Sequence, residues 1–220
     1  NHGTGSGITW ATGQEYGFQH PLVRSNNPMV FDGVNDYIDL GTPSDVTGDK
    51  SVSMWFKQDT NGNRFLFNFD FINMNCADHA THNKFLLYDS EHGNKFNFTR
   101  PELGIWNHLA ITSTSSGSSV YLNGVSVSDT GDLFWGMSTD NTIGSRTSSF
   151  LFDGMINDVA IWDSALTANE VTALYNSGLP LLPTADSGNY ASADDLVGYW
   201  RNDGVTTWTD RSTNSNNGTV

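Results

Sequence analysis

The two ends of this 220-residue chain carry the two halves of one motif. The tail contains residues 197–200 (Val-Gly-Tyr-Trp) and 208–212 (Trp-Thr-Asp-Arg-Ser), and then residues 217–219 (Asn-Gly-Thr). The head begins with a matching sequence at residues 2–4 (His-Gly-Thr). When tail and head are joined over these triplets, they give one continuous strand–turn–strand pattern. We expect either one unit of a tandem array, or a tail strand that completes a sandwich, its own or that of the next copy.

Turn-forming residues dominate the rest of the chain. Gly occurs 22 times, and only four of the 24 acidic residues are Glu, so Asp prevails. Asp, Asn, Gly, Ser and Thr favour turns through their own backbone chemistry, and short aromatic and β-branched runs lie between them. This pattern predicts strands joined by many loops, and the length suits one all-β sandwich.

Charge and hydropathy limit the partners. The net charge is −14 with only ten Lys and Arg residues, whereas nucleic-acid binding needs clustered basic side chains. No apolar run reaches the roughly 18 residues that a membrane span requires. The sequence therefore predicts neither a nucleic-acid partner nor membrane insertion.

The single cysteine, Cys76, excludes an internal disulfide. Asp78, His79 and His82 follow it closely in sequence. These four residues form the one cluster of soft metal ligands in the chain. Structural zinc sites normally draw their ligands from two separated elements, so we favour a polar loop over a zinc site here.

Several segments have strand signatures. Residues 51–56 alternate small or polar with large apolar residues, which is typical of a half-buried strand. Asn123-Gly124 predicts a type I′ hairpin, because both residues tolerate positive φ. Further strands are expected at residues 29–31, 37–40, 65–69, 85–88, 106–111, 120–122, 142–144 and 155–162, with residues 112–119 as a Ser/Gly/Thr linker.

One helix is indicated near the C-terminal third. Thr167 can cap its N-terminus, and Glu170 three residues later completes a capping box. Gly178 and then Pro180 predict its end. His108 precedes an apolar residue on a strand and is expected to be part of the scaffold.

The order and spacing of six segments resemble the laminin-G-like domains of the concanavalin A-like lectin/glucanase superfamily. The segments are residues 31–38 (Phe-Asp-Gly-Val-Asn-Asp-Tyr-Ile), 106–110, 120–124, 143–144, 152–162 and 165–171. The resemblance implies a jelly-roll sandwich of two antiparallel sheets, with glycans bound on the concave face or the rim loops. It also implies, in many members, a structural calcium ion.

Four segments are expected on this basis. Residues 1–27 form an N-terminal strand segment, the second half of the split motif. Residues 28–178 form the sandwich core, and residues 179–194 a linker. Residues 195–220 form a C-terminal strand segment that completes its own or a neighbouring sandwich.

Calcium ligands are expected among Asp32, Asn35, Asp36 and Asp158, whose side chains offer the hard oxygens that Ca²⁺ prefers. The resemblance implies a metal that joins the early Phe-Asp-Gly turn to the late Asp-Val strand, so Asp32 and Asp158 are the principal pair. Asp153 is a weaker candidate. The alternative is that these residues only build Asx-turns.

A glycan platform is expected at Phe134 and Trp135, with Asp132 as a hydrogen-bonding neighbour. The alternative is that these loop aromatics fold back to cap the core. Trp200 and Trp208 also fall outside the obvious core strands.

Catalysis is not expected. Glycosidases need two carboxylates that flank one glycosidic bond, but Glu15, Glu91, Glu102 and Glu170 are scattered along the chain. No catalytic residue is therefore assigned.

The sequence favours a noncatalytic, lectin-like module, located extracellularly, at the cell surface or on a virion, that binds a polysaccharide or glycoconjugate. One alternative is a structural subunit of a filament or virion, joined to like domains through its terminal strands. A glycoside hydrolase or polysaccharide lyase is a further alternative that lacks its residues.

Overall fold

The protein folds mainly into β-strands. The structure is a computed structural model and describes residues 28–42, 46, 48–69, 72–75, 84–89, 93–127, 141–146, 150–201 and 207–219. Within these ranges the elements are β1 (Met29–Asp32), β2 (Ile38–Gly41), β3 (Lys50–Gln58), β4 (Phe65–Phe69), β5 (Ile72–Asn75), β6 (Lys84–Asp89), β7 (Gly93–Thr99), β8 (Asn107–Thr114), β9 (Gly117–Leu122), β10 (Val125–Ser126), β11 (Asn141–Ile143), β12 (Asp153–Trp162), α1 (Ala168–Tyr175), β13 (Leu196–Trp200), β14 (Thr207–Trp208) and β15 (Gly218–Thr219).

The strands form two antiparallel sheets. The seven-stranded sheet runs β1-β12-β3-β8-β9-β10, with β13 also paired to β12, and the eight-stranded sheet runs β14-β15-β2-β11-β4-β5-β6-β7. Strands that are distant in sequence are neighbours in both sheets, as in a jelly roll. The predicted all-β jelly-roll sandwich of two antiparallel sheets with one short helix is therefore confirmed.

Strand β12 organises the seven-stranded sheet. Strand β3 occupies one of its edges, while β1 and β13 share the other. β1 pairs with the first half of β12, from Asp153 to Ile156, and β13 pairs with the second half, from Val159 to Trp162. The tail of the chain thus continues the sheet edge that β1 begins.

Large apolar side chains fill the space between the two sheets. Because side chains alternate between the faces of a strand, every second residue points inward. This core contains, among others, Phe31, Met54, Phe56, Phe67, Phe69, Phe85, Leu109, Ile111, Ile143, Phe152, Ile156, Val159, Ile161, Trp200 and Trp208. Trp200 and Trp208, on the tail strands β13 and β14, are fully buried in it.

A second apolar cluster covers the outer face of the seven-stranded sheet. Trp162 and Ala160 on that face pack with Leu174 of α1 and with Tyr190 and Tyr199 from the following segments. The expectation that residues 51–56 form a half-buried strand is therefore wrong, because this cover buries the outer face of β3 and the core between the sheets buries its inner face. The segment that joins α1 to β13 contributes to this cover through Tyr190, whose hydroxyl accepts a hydrogen bond from Trp162 Nε1 at 2.9 Å.

Helix α1 begins as its sequence predicts. Thr167 and Glu170 form a reciprocal capping box. The helix ends earlier than expected, because Asn176 adopts a left-handed conformation with φ of 44° before Gly178 is reached. Asn tolerates this conformation better than most residues, so it terminates the helix.

The β8–β10 region corrects one expectation and confirms another. Residues 112–119 are not a linker, since β8 continues to Thr114 and β9 starts at Gly117. Ser113 and Ser118 are buried and share a hydrogen bond of 2.8 Å, which satisfies two polar groups inside the strand pair. The Asn123-Gly124 hairpin is confirmed, because both residues have positive φ between β9 and β10.

The described tail strands belong to the sandwich of the same chain. β13 pairs with β12, and Thr219 of β15 is opposite Asp39 of β2. Buried Asp210 shapes the intervening loop by accepting hydrogen bonds from the backbone N–H of Tyr199 and of Asn216, both at 2.8 Å. The head segment, residues 1–27, lies outside the described residues, and an exchange of terminal strands with a like domain stays a prediction.

Candidate functional site

Asp158 lies inside the protein at a bulge of β12. The register between β12 and β3 shifts between Asn157 and Ala160, and Asp158 has a positive φ of 49°. Its Oδ1 accepts a hydrogen bond from the Tyr199 hydroxyl at 2.5 Å and is 3.4 Å from Arg201 Nε. Burial raises the pKa of the Asp158 carboxyl, and Arg201 and Tyr199 partly offset that rise. The carboxylate therefore joins β12 to the tail strand.

Asp32 and Asp36 lie in the turn between β1 and β2. Asp32 Oδ1 accepts hydrogen bonds from the backbone N–H of Val34 at 2.8 Å and of Asn35 at 3.3 Å. Asp36 is buried, and its Oδ2 accepts a hydrogen bond from the Asp32 N–H at 2.9 Å. Burial raises the pKa of Asp36. The turn has the hydrogen bonds of an Asx-turn, which is the alternative raised from the sequence.

The structure does not bring Asp32 and Asp158 together. Asp32 is the cross-strand partner of Asp153, and Asp158 is five residues further along β12. Five residues of extended strand correspond to about 16 Å. Within the described residues, no three His, Cys, Asp or Glu side chains are grouped so that they could hold a metal ion. Calcium binding stays a prediction, and its expected principal ligands are separated.

Three loops meet at the Asp32 end of the sandwich, and we call them the Arg64 rim: residues 32–36, 59–64 and 150–153. Arg64 Nη1 donates a hydrogen bond to the Leu151 carbonyl oxygen at 2.8 Å and a weaker one to the Gly33 carbonyl oxygen at 3.4 Å. Asp153 Oδ2 accepts a hydrogen bond from Thr60 Oγ1 at 2.5 Å. These contacts hold the three loops in a fixed arrangement.

Phe150 is the exposed aromatic residue of the Arg64 rim. Its side chain is 49% exposed, and its ring packs against buried Phe65 with centroids 5.6 Å apart. Its φ of 55° lies in the left-handed region, which is unfavourable for a bulky residue. Val34, in the adjacent loop, is 72% exposed. Backbone strain of this kind accumulates at ligand-binding positions, so Phe150 is a candidate contact residue.

The chemistry of the Arg64 rim suits a ligand with both apolar and hydroxyl groups. The Phe150 ring offers an apolar face. Elsewhere on the rim, Asp32 and Asp153 supply carboxylates, and Arg64, 25% exposed, supplies a guanidinium. A few polar groups around an apolar contact fix the orientation of a small ligand.

The outer face of the eight-stranded sheet is a weaker candidate. Asp39, Thr142 and Asn68 are aligned across β2, β11 and β4 and alternate with core residues, so they point away from the core. Asn68 and Thr142 are only 4% and 6% exposed, and Thr142 Oγ1 already donates to the Ser145 carbonyl oxygen. Asn68 and Thr142 are therefore not available to a ligand from solvent.

His108 is buried beneath α1. Its ring lies 5.2 Å from that of Trp55 and 6.2 Å from that of Tyr175, and its Nδ1 has no hydrogen-bond partner. Burial lowers its pKa to about 3, so the imidazole is neutral at pH 7. A small cavity next to it is also lined by Asp158 and Pro183. The position agrees with the expected scaffold role of His108.

The glycan platform expected at Asp132, Phe134 and Trp135 lies outside the described residues, as does the cluster from Cys76 to His82. The sequence reasoning missed Phe150 and Arg64. Phe150 follows a Ser/Thr run that reads as an ordinary loop, whereas Arg64 could have been noticed as one of only ten basic residues. None of the helices in the described ranges is long and apolar enough to span a membrane.

Comparison with solved structures gives relatives of the same fold. A candidate carbohydrate-binding protein from Bacteroides ovatus is 17% identical over 90% of this chain, with a TM-score of 0.63, and the match spans 62% of that protein. Domain 4 of an extracellular GH43 arabinanase from Geobacillus stearothermophilus, in complex with arabinotriose, is 21% identical with a TM-score of 0.54, and covers 78% of this chain and 82% of that domain.

A sialidase from Trypanosoma rangeli is 14% identical over 71% of this chain, with a TM-score of 0.54, but the match spans only 28% of the sialidase. A search of curated protein sequences found no significant match. The family model of the concanavalin A-like lectin/glucanases superfamily matches residues 32–172, well over half of the chain, and the chain therefore belongs to that superfamily.

Proposed function

We propose that this protein is a noncatalytic carbohydrate-binding module that takes its ligand at the Arg64 rim. The observation that carries the proposal is the exposed, backbone-strained Phe150 on the same rim as Asp32 and Asp153. A sugar ring has an apolar C–H face that can lie on an aromatic ring, while its hydroxyls accept or donate hydrogen bonds at the edge.

Superfamily membership and the solved relatives support the class of ligand. One relative is a candidate carbohydrate-binding protein, and another is a domain in complex with arabinotriose. Arabino-oligosaccharides are therefore the first ligands to test. The net charge of −14 disfavours polyanionic glycans, because like charges repel, so the proposed ligand is a neutral polysaccharide or glycoconjugate outside the cell.

The noncatalytic part of the proposal rests on how the described acidic residues are used. Asp158 is buried against Arg201 and Tyr199, and Glu170 is engaged in the helix cap. A glycosidase needs one carboxyl as acid and another as base or nucleophile on either side of a bond. The purified protein should release no reducing sugar from the polysaccharide it binds.

The experiment is a glycan array followed by titration of the bound oligosaccharide. Phe150→Ala should weaken binding about tenfold or more, because truncating a central aromatic contact removes most of its interaction energy. It should lower the melting temperature by only about 2–4 °C, since half of the ring is exposed. Val125→Ala is the matched control, because Val125 is 66% exposed in the β9–β10 hairpin, outside the Arg64 rim.

Equal loss in both variants, or full affinity in Phe150→Ala, would reject the rim as the site. Binding that is absent from the whole array would reject the carbohydrate function itself. Release of reducing sugar that disappears when one Asp or Glu is changed would reject the noncatalytic assignment.

A second role, assembly with like domains, is favoured by the terminal motif. Strand β15 contributes only two residues and pairs with β2 at Thr219 and Asp39, while residues 2–4 repeat its sequence pattern. A two-residue strand such as β15, which lies between β14 and β2, forms few ladder hydrogen bonds, so a second copy of its pattern, from the same chain or a neighbour, can replace it. Removal of residues 196–220 should abolish any concentration-dependent association in sedimentation; a full-length chain that stays monomeric at high concentration argues against this role.

A further inference from the structure

A positively charged group joins the loops of the Arg64 rim. The superfamily resemblance implies a calcium ion that connects the Phe-Asp-Gly turn with the late strand. In this structure the side chain that contacts both regions is Arg64, with Nη1 bonded to the Leu151 carbonyl oxygen and to the Gly33 carbonyl oxygen. Its Nη2 is 3.9 Å from Asp153 Oδ2.

The described oxygens of the Arg64 rim are too few for a calcium site, although Asp36 Oδ1 is buried without a hydrogen-bond partner. Ca²⁺ takes six to eight oxygen ligands. Here the Gly33 and Leu151 carbonyls point at a guanidinium, and Asp32 Oδ1 already accepts two backbone N–H groups. Asp158, the expected partner of Asp32, lies further along β12 and is ion-paired with Arg201, which follows β13. The described part of the chain offers no group of three acidic or histidine side chains for a metal.

We propose that the Arg64 guanidinium is the permanent internal cation of this rim, and that it takes over the loop-joining role that a calcium ion would otherwise have. A guanidinium carries five N–H donors in a fixed planar fork, so one group can bind two carbonyl oxygens and face a carboxylate at the same time. The loops of the Arg64 rim therefore need no calcium ion to be joined.

The backbone around Arg64 is adapted to it. Gly33 has a φ of 72°, and a Cβ atom built on this glycine would overlap Arg64 Nη1. The residue that permits the left-handed turn therefore also leaves room for the guanidinium. Because Leu151 follows Phe150 directly, the same hydrogen bond fixes the backbone next to the strained aromatic residue.

The test is thermal unfolding of the wild type and of variants in EDTA and in excess CaCl₂. The wild-type melting temperature should be the same in both, and dialysed protein should contain no stoichiometric metal by elemental analysis. Arg64→Gln should lower the melting temperature by about 5 °C, because charge-assisted hydrogen bonds are lost. Arg64→Lys should lose nearly as much, since an ammonium cannot form the same fork.

Lys57→Gln is the matched control. It removes the same charge from the neighbouring ion pair between Lys57 Nζ and Asp59 Oδ1, which are 3.6 Å apart. Because the Asp59 side chain is 40% exposed and the Lys57 side chain 15%, solvent screens this single contact, and the variant should shift the melting temperature by less than about 2 °C. A saturable rise of the wild-type melting temperature with calcium would overturn the proposal. So would an Arg64→Gln variant as stable as the control. If Arg64→Gln does not fold, the calcium titration and metal analysis of the wild type still decide.

Discussion

Asp32 and Asp158, which the sequence places in one hypothetical calcium site, lie in two different environments. Asp32 is in an exposed turn and is engaged by the N–H groups of its own loop. Asp158 is 8% exposed and holds Arg201 and Tyr199 across the junction of β12 and β13. The comparison shows that residue type alone does not assign a role; strand register and burial decide whether an Asp shapes a turn or joins two distant segments.

The largest expected difference between the two sites is in stability. Asp158→Asn should lower the free energy of unfolding by about 3 kcal/mol, because it leaves the partly buried Arg201 guanidinium without its counter-charge. Asn keeps the positive φ that this bulge requires, so the loss reports the charge and not the backbone. The measurement is urea unfolding at pH 7. A loss below about 1 kcal/mol would show that the buried pair does not secure the tail.

The second expected effect is a pH dependence of stability. It comes from His108, which lines the same small cavity as Asp158. Its pKa is about 3 in the folded protein, below the ordinary value of 6.5, so between these values the unfolded chain binds a proton that the folded protein does not. The contribution of His108 to stability is therefore full well above pH 6.5 and is lost as the pH falls below that value. Between pH 6.5 and 4.5 the loss due to His108 should be about 2–3 kcal/mol.

His108→Gln removes this titration. The difference in unfolding free energy between variant and wild type should change over that pH window. Only the unfolded wild type gains a proton at position 108 as the pH falls. Parallel stability curves would mean that His108 can be protonated in the folded protein.

The smallest effect is expected at Asp32. Asp32→Asn should change the free energy of unfolding by less than about 0.5 kcal/mol, because an Asn side-chain oxygen can accept the same hydrogen bonds from Val34 and Asn35. The same unfolding experiment compares it directly with Asp158→Asn. Equal losses at the two positions would contradict the distinction between them.

The fold was more predictable from the sequence than the site. Local signals gave the Asn123-Gly124 hairpin, the Thr167–Glu170 cap and most core strands, because these depend on residues close in sequence. Long-range register was not readable: nothing near Asp158 indicates that β13 will return beside it. The outer cover of β3 was missed for the same reason, since it comes from residues more than a hundred positions away.

The rim was missed because its key residues have no local signature. Arg64 donates to backbone carbonyls of two other loops. Because every residue has a backbone carbonyl, the sequence does not show which ones accept a hydrogen bond. Phe150 is distinguished by its exposure and its φ angle, which are properties of the folded chain.

The most direct test of the central claim is to map the bound carbohydrate by amide chemical shifts, using the best glycan from the array. We expect the shifts that change on titration to cluster at Gly33, Val34, Phe150 and Leu151, and to be absent in Phe150→Ala. Shifts that instead cluster along Asp39, Asn68 and Thr142 on the eight-stranded sheet would contradict the assignment of the Arg64 rim as the carbohydrate site.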